Sequence, residues 1–345
     1  MTIDGAERFT DGLEGVEERM TTSERAFWVR EPGAGEIRTE ALREPGADEV
    51  RVRTRFSAIS RGTELLVFEG RVPESERARM RAPFQEGDFP SPVKYGYLNV
   101  GVVEAGPAAL LGRTVFSLAP HQTASVLPAS AVVPVPDRVP AGRAVLAGIV
   151  ETALNALWDV PVHVGDHVTI VGGGLVGSCI ARLAARHPGT RVTVVDTDPS
   201  RAATAAALGA LFAGPETAPR DQDVVYHASA TAEGLDLALE LLGIEGTVVD
   251  LSWYGDRPVR IRLGGAFHAR RLTIRSSQVG LVAPARRVSR SAHARLTLAV
   301  ELLEDAAFDA LLDESRPFEE LPLLLAAMSR GERSGICQII EYGGG

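Results

Sequence analysis

Short runs of alternating apolar and polar residues, separated by Pro- and Gly-containing turns, fill the chain from about residue 26 to residue 140. The runs at 49–57, 101–104, 114–118 and 132–135 carry the β-branched residues and the period of two that are typical of strands. This part of the chain is therefore predicted to be a β-rich unit with irregular loops.

The pattern changes further along the chain. Residues 144–158 have a helical period, and from residue 166 apolar strands alternate with helices rich in Ala and Leu. Strands are predicted at 168–171, 191–195, 223–227, 246–251 and 272–275. Such alternation predicts a parallel, doubly wound sheet, so the fold class is α/β. A long amphipathic helix at 292–312 and a last strand at 335–341 complete the prediction.

Composition narrows the class of protein. The chain has 345 residues, of which 45% are hydrophobic, so we expect two domains with well-filled cores. The net charge is −9 and the basic residues are scattered, which argues against a nucleic-acid partner. Residues 1–22 are polar and aperiodic, so a flexible extension is expected there.

Two further features concern location and metal content. No run of about 18 apolar residues occurs, so no membrane segment is expected and a cytoplasmic protein is predicted. Cys179 and Cys337 are the only cysteines. Two cysteines exclude a disulfide framework and a multi-cysteine metal site, and we interpret both as buried apolar residues.

A glycine-rich turn follows the predicted strand at 168–171 and leads directly into a helical run. Gly172 permits the tight turn, Gly174 lets the backbone approach a pyrophosphate, and Gly177 allows the helix to pack closely on the strand. The helix amides that begin at Leu175 and Val176 are suited to hold the phosphates. The alternative is an ordinary strand-to-helix turn.

An acidic residue follows the next strand. Asp196 lies 24 positions after Gly172, counted as 196 − 172, where a carboxylate accepts a hydrogen bond from the adenosine ribose. A carboxylate there would repel a 2′-phosphate, so the sequence favours NAD over NADP. Arg201 is placed either near the adenine or on a solvated helix face.

The arrangement resembles the medium-chain dehydrogenase/reductase superfamily, in segments SAISRGTE (57–64), GYLNVGVVE (96–104) and ETALNA (151–156) and in the glycine motif. The resemblance implies a GroES-like catalytic domain at 23–147, a Rossmann NAD-binding domain at 148–280 and a C-terminal return at 281–345. It also implies cofactor contact by Thr152 and a homodimer formed through the strand near 272–279. More narrowly, residues 59–64 are similar to bacteriochlorophyllide a dehydrogenase-like members, which oxidise a hydroxyalkyl group on a macrocycle.

The zinc ligands of that superfamily are missing. Ser60 replaces the ligand Cys, Tyr97-Leu98 replaces the His-Glu pair, and Gly148 stands near the third ligand. A catalytic zinc needs about three N, S or O ligands, so no metal is expected. His163 and His167 flank a turn, where a helical ligand pair is implausible.

Without a metal, the proton must be carried by a side chain. Tyr97 matches the position of a lost ligand, and Lys94 would lower its pKa if the two side chains converge; the alternative is a core tyrosine beside an exposed lysine. Glu151 is expected to open a helix close to the nicotinamide, either as a catalytic group or as a group that satisfies the helix dipole.

A second set of candidates lies on the segment expected to be a loop. Ser60 and Thr63 orient the substrate oxygen or simply cap a turn, and Arg61 is within reach of the pyrophosphate. Glu64 is expected to pair with an arginine. His121 is expected either to line the cleft mouth or to lie in an exposed loop.

The sequence therefore predicts a zinc-independent, NAD-dependent oxidoreductase that interconverts a secondary alcohol and a ketone on a fairly large, potentially ring-bearing small-molecule substrate. A zinc-free quinone or enone reductase is the alternative enzyme, although such members usually prefer NADPH. A non-catalytic NAD-binding protein is the third hypothesis, because a fold does not define an activity.

Overall fold

The computed structural model describes residues 22–343. The predicted extension at 1–22 lies outside the described residues, except that Thr22 already belongs to the first strand. Regular structure thus begins four residues before the expected start at Ala26. That strand pairs along its length with the next one, a hairpin that the pattern of apolar positions had not indicated.

Strands predominate up to residue 134, and strands alternate with helices or 3₁₀ turns further along the chain. The strands are β1 (Thr22–Glu31), β2 (Ala34–Leu42), β3 (Glu49–Ala58), β4 (Glu86–Gly87), β5 (Val93–Lys94), β6 (Asn99–Ala105), β7 (Thr114–Ser117), β8 (Ala124–Pro128), β9 (Val132–Pro134), β10 (His167–Val171), β11 (Arg191–Val195), β12 (Leu211–Ala213), β13 (Gln222–His227), β14 (Leu242–Asp250), β15 (Thr273–Ser276), β16 (Arg316–Pro317) and β17 (Ile339–Glu341). The α-helices are α1 (Arg61–Phe68), α2 (Ala141–Ala144), α3 (Ala147–Asp159), α4 (Leu175–Ala184), α5 (Arg201–Ala207), α6 (Ala232–Leu241), α7 (Ala292–Leu302) and α8 (Leu321–Ser329).

Two sheets make up the β-rich part. One has the order β2-β1-β5-β4, and the other has the order β16-β17-β3-β6-β7-β9 with β8 paired to β3. Strand β3 alternates buried and partly buried positions over most of its length, as expected for a strand with one face on the core. This pattern confirms the β-rich unit predicted for this region.

The second part is a six-stranded parallel sheet with the order β12-β11-β10-β13-β14-β15. In chain order this is 3-2-1-4-5-6, the doubly wound arrangement whose order reverses beside its first strand. The register aligns Val171 with Val195 and His227, and His227 with Asp250. Four strands therefore end at the same level, and their carboxyl ends form one edge beside the reversal point.

The C-terminal strand returns to the first part of the chain. Ile339 pairs with Ala58, so β17 lies antiparallel to β3. Helix α8 shares a core with α1 through residues such as Phe68 and Leu325. A separate core passes through α3, which contacts both the β-rich part and the parallel sheet. The exact domain boundaries stay a prediction.

Three helix predictions are corrected. The helix expected at 144–158 is interrupted, because α2 ends at Ala144 and α3 begins at Ala147. The helix expected at 292–312 ends at Leu302, and a 3₁₀ helix, Ala306–Leu311, follows. Asp305 separates the two, because its carboxylate accepts from the amide of Ala307 and bonds to Arg182. The third correction is α1, which occupies the segment expected to be a loop.

No helix within residues 22–343 combines the length and the apolar character needed to cross a bilayer.

Candidate functional site

The glycine turn has the conformation that its sequence requires. Gly172 has a φ of 107°, and a Cβ there would lie 2.7 Å from the amide nitrogen of Ser229. A Cβ on Gly177 would overlap the carbonyl oxygen of Gly172. At Gly174, by contrast, a Cβ would meet nothing within 4 Å. The first and third glycines are thus needed for packing, while the second faces open space.

Asp196 stands directly after β11 beside that turn. Its Oδ2 accepts a hydrogen bond from the amide of Gly173 at 2.7 Å, and its Oδ1 accepts from the amide of Asp198 at 2.9 Å. The carboxylate is therefore held in place against the turn. Arg201 is also anchored there, with Nε 3.3 Å from Asp198 and one terminal nitrogen donating to the carbonyl of Gly335.

A cavity of about 890 Å³ lies between the parallel sheet and α1. One wall carries the glycine turn and its neighbours, and the other carries the start of α1. The predicted residues that line it are Gly172, Gly174, Leu175, Val176, Asp196, Arg201, Ser60, Arg61 and Thr63. Gly177 does not line the cavity, which agrees with its role in packing.

These residues fit a dinucleotide. The edge formed by the strand ends lies at the reversal point, where such ligands bind in doubly wound sheets. The first-turn amides of α4 have no acceptor within the helix, and the surface in front of Gly174 is open. Leu175 and Val176 would present amides to the phosphates, and Asp196 stands where a ribose would lie.

Tyr97 is partly buried and lies beside the α1 wall. Burial raises the pKa of Tyr97 to about 12, the charge of Glu64 acts in the same direction, and the hydroxyls of Ser60 and Thr63 act to lower it. The phenol therefore keeps its proton around neutral pH. The structure brings Tyr97, Ser60 and Thr63 together, which suits a hydrogen-bond donor better than a base.

The expected convergence of Lys94 on Tyr97 is wrong. The Lys94 side chain is 4% exposed, and its Nζ lies 2.9 Å from Glu40 and 2.5 Å from Glu86. Two carboxylates thus hold the ammonium against the ring of Trp28. Its place is in the small sheet, where β5 joins β4 and β1.

Glu151 does not open a helix, because α3 begins four residues earlier at Ala147. Its Oε1 accepts from the Nε of Arg295 at 3.0 Å, and both side chains are buried. Burial raises the pKa of Glu151, while Arg295 acts to lower it. This carboxylate is therefore a partner of Arg295. Thr152, predicted to contact the cofactor, donates to the carbonyl of Gly148 and does not line the cavity.

Glu64 and His121 also differ from expectation. Glu64 accepts from the amide of Ser60 at 2.8 Å and lies 2.8 Å from Nε2 of His121, so its partner is a histidine and not an arginine. His121 is 1% exposed, so it lies neither in an exposed loop nor at the mouth of the cleft, and both expectations are wrong. Its Nδ1 meets Ser57 at 2.7 Å, and Ser57 meets Tyr342 at 2.9 Å. The bond from Ser60 to Glu64 spans the start of α1.

Of the positions of the missing zinc ligands, Gly148 is closely packed, whereas Ser60 lines the cavity. A Cβ on Gly148 would lie 2.7 Å from the side chain of Leu98. Across residues 22–343, no three His, Cys, Asp or Glu side chains are grouped in a way that could hold a metal ion.

The sequence reasoning missed a polar group at the ends of β13 and β14. Ser229, Ser252 and Tyr254 line the cavity, and His227 and Asp250 lie behind them, 2.9 Å apart. The available signal was positional, because polar residues that follow parallel strands lie at the ligand-binding edge.

Comparison with curated proteins finds two dehydrogenases. A 121-residue segment is 33% identical to an L-threonine 3-dehydrogenase from Rhizobium rhizogenes, covering 34% of this chain and 33% of that protein. A 227-residue segment is 27% identical to a D-guloside 3-dehydrogenase from Shigella flexneri, covering 57% of this chain and 64% of that protein. The chain thus spans about a third and just under two thirds of the lengths of these relatives.

Solved structures agree over most of the chain. A zinc-binding dehydrogenase from Sinorhizobium meliloti bound to NADP has a TM-score of 0.73 at 17% identity, covering 93% of this chain and 99% of that chain. An L-idonate 5-dehydrogenase from Escherichia coli has a TM-score of 0.76 at 15% identity, with the same coverages. An alcohol dehydrogenase from Escherichia coli in complex with NADH has a TM-score of 0.72 at 15% identity, covering 93% of this chain and 100% of that chain.

These likenesses confirm the predicted fold, a GroES-like β domain joined to a Rossmann domain. A family model described as FAD dependent oxidoreductase matches residues 167–313. That match covers the parallel sheet, whose glycine turn is suited to the ADP portion of a dinucleotide.

Proposed function

We propose that this protein is a nicotinamide-dependent dehydrogenase that interconverts a secondary alcohol and a ketone, prefers NAD(H) to NADP(H) and works without zinc. The observation that carries the proposal is the cavity, which has the glycine turn and Asp196 on one wall and Ser60 and Thr63, beside Tyr97, on the other. The relatives are named as dehydrogenases, and solved structures of this fold hold NADP or NADH.

Each group has a defined task in this proposal. The nicotinamide supplies or accepts the hydride. Asp196 accepts hydrogen bonds from the adenosine ribose, and its charge opposes a 2′-phosphate. Tyr97 donates a hydrogen bond, and then its proton, to the carbonyl oxygen during reduction, while Ser60 and Thr63 orient that oxygen.

The raised pKa of Tyr97 favours one direction of the reaction at neutral pH. A phenol with a pKa of about 12 is protonated at neutral pH, so it is ready for carbonyl reduction. Alcohol oxidation needs the phenolate, which becomes available as the pH rises toward that pKa. We therefore expect oxidation to accelerate with rising pH, and reduction to be insensitive to Tyr97 ionisation around neutrality.

A fairly large substrate, ring-bearing alcohols included, is part of this proposal, and the cavity of about 890 Å³ would have to hold it together with the dinucleotide.

The test is steady-state turnover with a panel of secondary alcohols and NAD, run beside quinones with NADPH. Activity with alcohols that survives a strong chelator, in protein free of stoichiometric zinc by elemental analysis, supports the proposal. Zinc at one ion per chain would overturn the metal-free mechanism, and activity confined to quinones and NADPH would favour the reductase. A flavin absorbance spectrum in the purified protein would contradict a nicotinamide cofactor.

A further inference from the structure

A serine, a histidine and an aspartate form a continuous hydrogen-bonded row on the sheet wall of the cavity. Ser229 Oγ lies 2.7 Å from Nε2 of His227, and Nδ1 of His227 lies 2.9 Å from Oδ1 of Asp250. These are the atoms and distances by which a histidine, oriented by a carboxylate, takes the proton of a nucleophilic serine. The dehydrogenase proposal assigns no task to this row.

The exposure of the three side chains suits such a role. His227 is fully buried, and the Asp250 side chain is 14% exposed. Ser229 is partly exposed and lines the cavity, so its hydroxyl is the member that a ligand can reach. Burial acts to raise the pKa of Asp250, but hydrogen bonds from His227, Ser252 and Tyr254 hold it below its ordinary value. The carboxylate therefore stays ionised behind the imidazole.

The backbone around Ser229 makes a sharp turn from a strand into a helix. Strand β13 ends at His227, and α6 begins at Ala232. Ala230, directly after the serine, has a φ of 54°, a conformation that side chains other than glycine rarely adopt. Backbone strain of this kind often marks a functional site. The same strand–turn–helix placement presents the serine of hydrolases at the top of their sheet.

Gly234 leaves the space that the row needs. A Cβ at this position would overlap Ser229 Oγ and lie 2.9 Å from Nε2 of His227. A side chain there would therefore displace the bond between the serine and the histidine. The amide of Gly234 donates to Thr231 Oγ1, which in turn lies 3.0 Å from Ser229 Oγ.

We propose that Ser229 is a nucleophile for acyl transfer, activated by His227 and Asp250, and that this site hydrolyses small activated esters. In the first step Ser229 Oγ bonds to the ester carbonyl carbon, its proton passes to His227 Nε2, and the carbon–oxygen bond to the leaving alcohol breaks. His227 returns that proton to the leaving oxygen. In the second step water attacks the acyl-serine, His227 takes a proton from the water and returns it to Ser229, and the carboxylic acid departs.

The chain offers few competing nucleophiles. Lys94 is the only lysine in the sequence, and it is held between two carboxylates. Cys179 and Cys337 are buried, and burial raises the pKa of both thiols. Stable acetylation of lysine or cysteine side chains should therefore contribute little background to the peptide analysis, and p-nitrophenolate release by exposed histidines such as His163 leaves no lasting label.

The experiment treats the full chain, without added cofactor, with p-nitrophenyl acetate, and follows p-nitrophenolate release together with peptide mass spectrometry. We expect an acetyl group on Ser229. Ser229→Ala should abolish that label, and His227→Gln should slow acylation about a hundredfold, the usual contribution of a general base. Asp250→Asn should slow it as well, and Ser289→Ala, which changes an exposed serine far along the chain, should leave the rate within about twofold.

Several results would overturn the proposal. They are acetylation found only at Lys94 or the N-terminus, and a Ser229→Ala variant that hydrolyses the ester as fast as the wild type. Thermal unfolding of each variant identifies a general loss of structure, and the labelling site in the wild type decides the question even if a variant does not fold. None of these results depends on NAD turnover, so failure here leaves the dehydrogenase proposal standing, and the reverse holds too.

Discussion

At the scale of single residues, the fixed position of Asp196 decides cofactor choice. Two backbone amides hold its carboxylate at the end of β11, so it cannot easily turn away from a 2′-phosphate. We predict that NAD(H) binds at least about tenfold more tightly than NADP(H), a difference of about 1.4 kcal/mol or more. Fluorescence titration with both reduced cofactors measures it.

The matched variants are Asp196→Ser and Asp223→Asn. The first removes the charge beside the ribose and should narrow or reverse the preference. The second changes a carboxylate that accepts from the amide of His167, at the amino end of β10 and thus far from the ribose. It should not alter the preference for NAD(H). Equal affinities of the wild type for the two cofactors would show that Asp196 does not set the preference.

Tyr97 and Tyr95 allow a matched test of proton donation. Their rings lie 6.0 Å apart in a T-shaped contact, and burial raises the pKa of both. Only Tyr97 adjoins the hydroxyls of Ser60 and Thr63. We predict that Tyr97→Phe lowers turnover about a hundredfold or more with NAD affinity nearly unchanged.

The control, Tyr95→Phe, should lose little turnover. A Tyr97→Phe variant that turns over as fast as the wild type would exclude Tyr97 as the proton carrier. A loss limited to the unfolding temperature would make it a core tyrosine, and Ser60 would be the next residue to replace.

The sequence correctly predicted the placement of residues that are defined by local backbone structure. It misjudged the roles of residues whose hydrogen-bond partners lie far away in the sequence. Gly172, Gly174 and Asp196 were found because a local turn and strand end define them. The partner of Glu151 is 144 positions away, and that of Glu64 is 57 positions away. No local pattern distinguishes a carboxylate that faces a cavity from one that meets a distant arginine or histidine.

At the scale of elements, α3 depends on a buried ion pair. Arg295 on α7 donates to Glu151 and to Asn155 of α3, and also to the carbonyl of Val279. Removing one partner leaves a buried charge without compensation, which typically costs about 3–5 kcal/mol. We predict a loss of that size for Glu151→Ala in urea unfolding.

Glu151→Gln is the matched control, since it keeps an acceptor for Arg295. Burial raises the pKa of Glu151, so the charged form is penalised in the fold and the neutral amide should cost less than the truncation. If Glu151→Ala unfolded like the wild type but lost all turnover, the earlier catalytic interpretation of Glu151 would be restored.

Element boundaries show what periodicity can and cannot define. Five of the six strands of the parallel sheet were placed to within about four residues, because a buried strand is a continuous apolar run, and β12 was not predicted. Helix α1 was missed, although Leu65, Leu66, Val67 and Phe68 follow its first turn, because the family resemblance implied a loop at Ser60 and Thr63. The bond from the Ser60 amide to Glu64 lies at that helix start, and Glu64 is also bonded to His121, 57 positions away.

At the scale of the whole molecule, the parallel, doubly wound sheet followed from alternation of strands and helices, while the return of β17 to β3 could be expected only from the family resemblance. The position of the cavity follows from both. The parallel sheet supplies one wall, and α1, which directly follows β3, supplies the other. Cytoplasmic location stays a prediction.

The open edge of the parallel sheet leads to the last prediction. Strand β15 is the last in its sheet, and the exposed apolar residues Leu281 and Val288 follow it, at 71% and 98% exposure. An uncovered edge strand tends to pair with another chain, and most soluble assemblies are symmetric dimers. We predict a homodimer formed through two β15 edges, to be measured by sedimentation at micromolar concentration.

Ile274→Lys should shift the equilibrium toward monomer, because charged side chains, lysine above all, disfavour pairing between edge strands. Leu211→Lys, on the opposite edge strand β12, should leave it dimeric. A wild-type monomer would contradict the prediction, and a dimer dissociated only by Leu211→Lys would move the interface to β12.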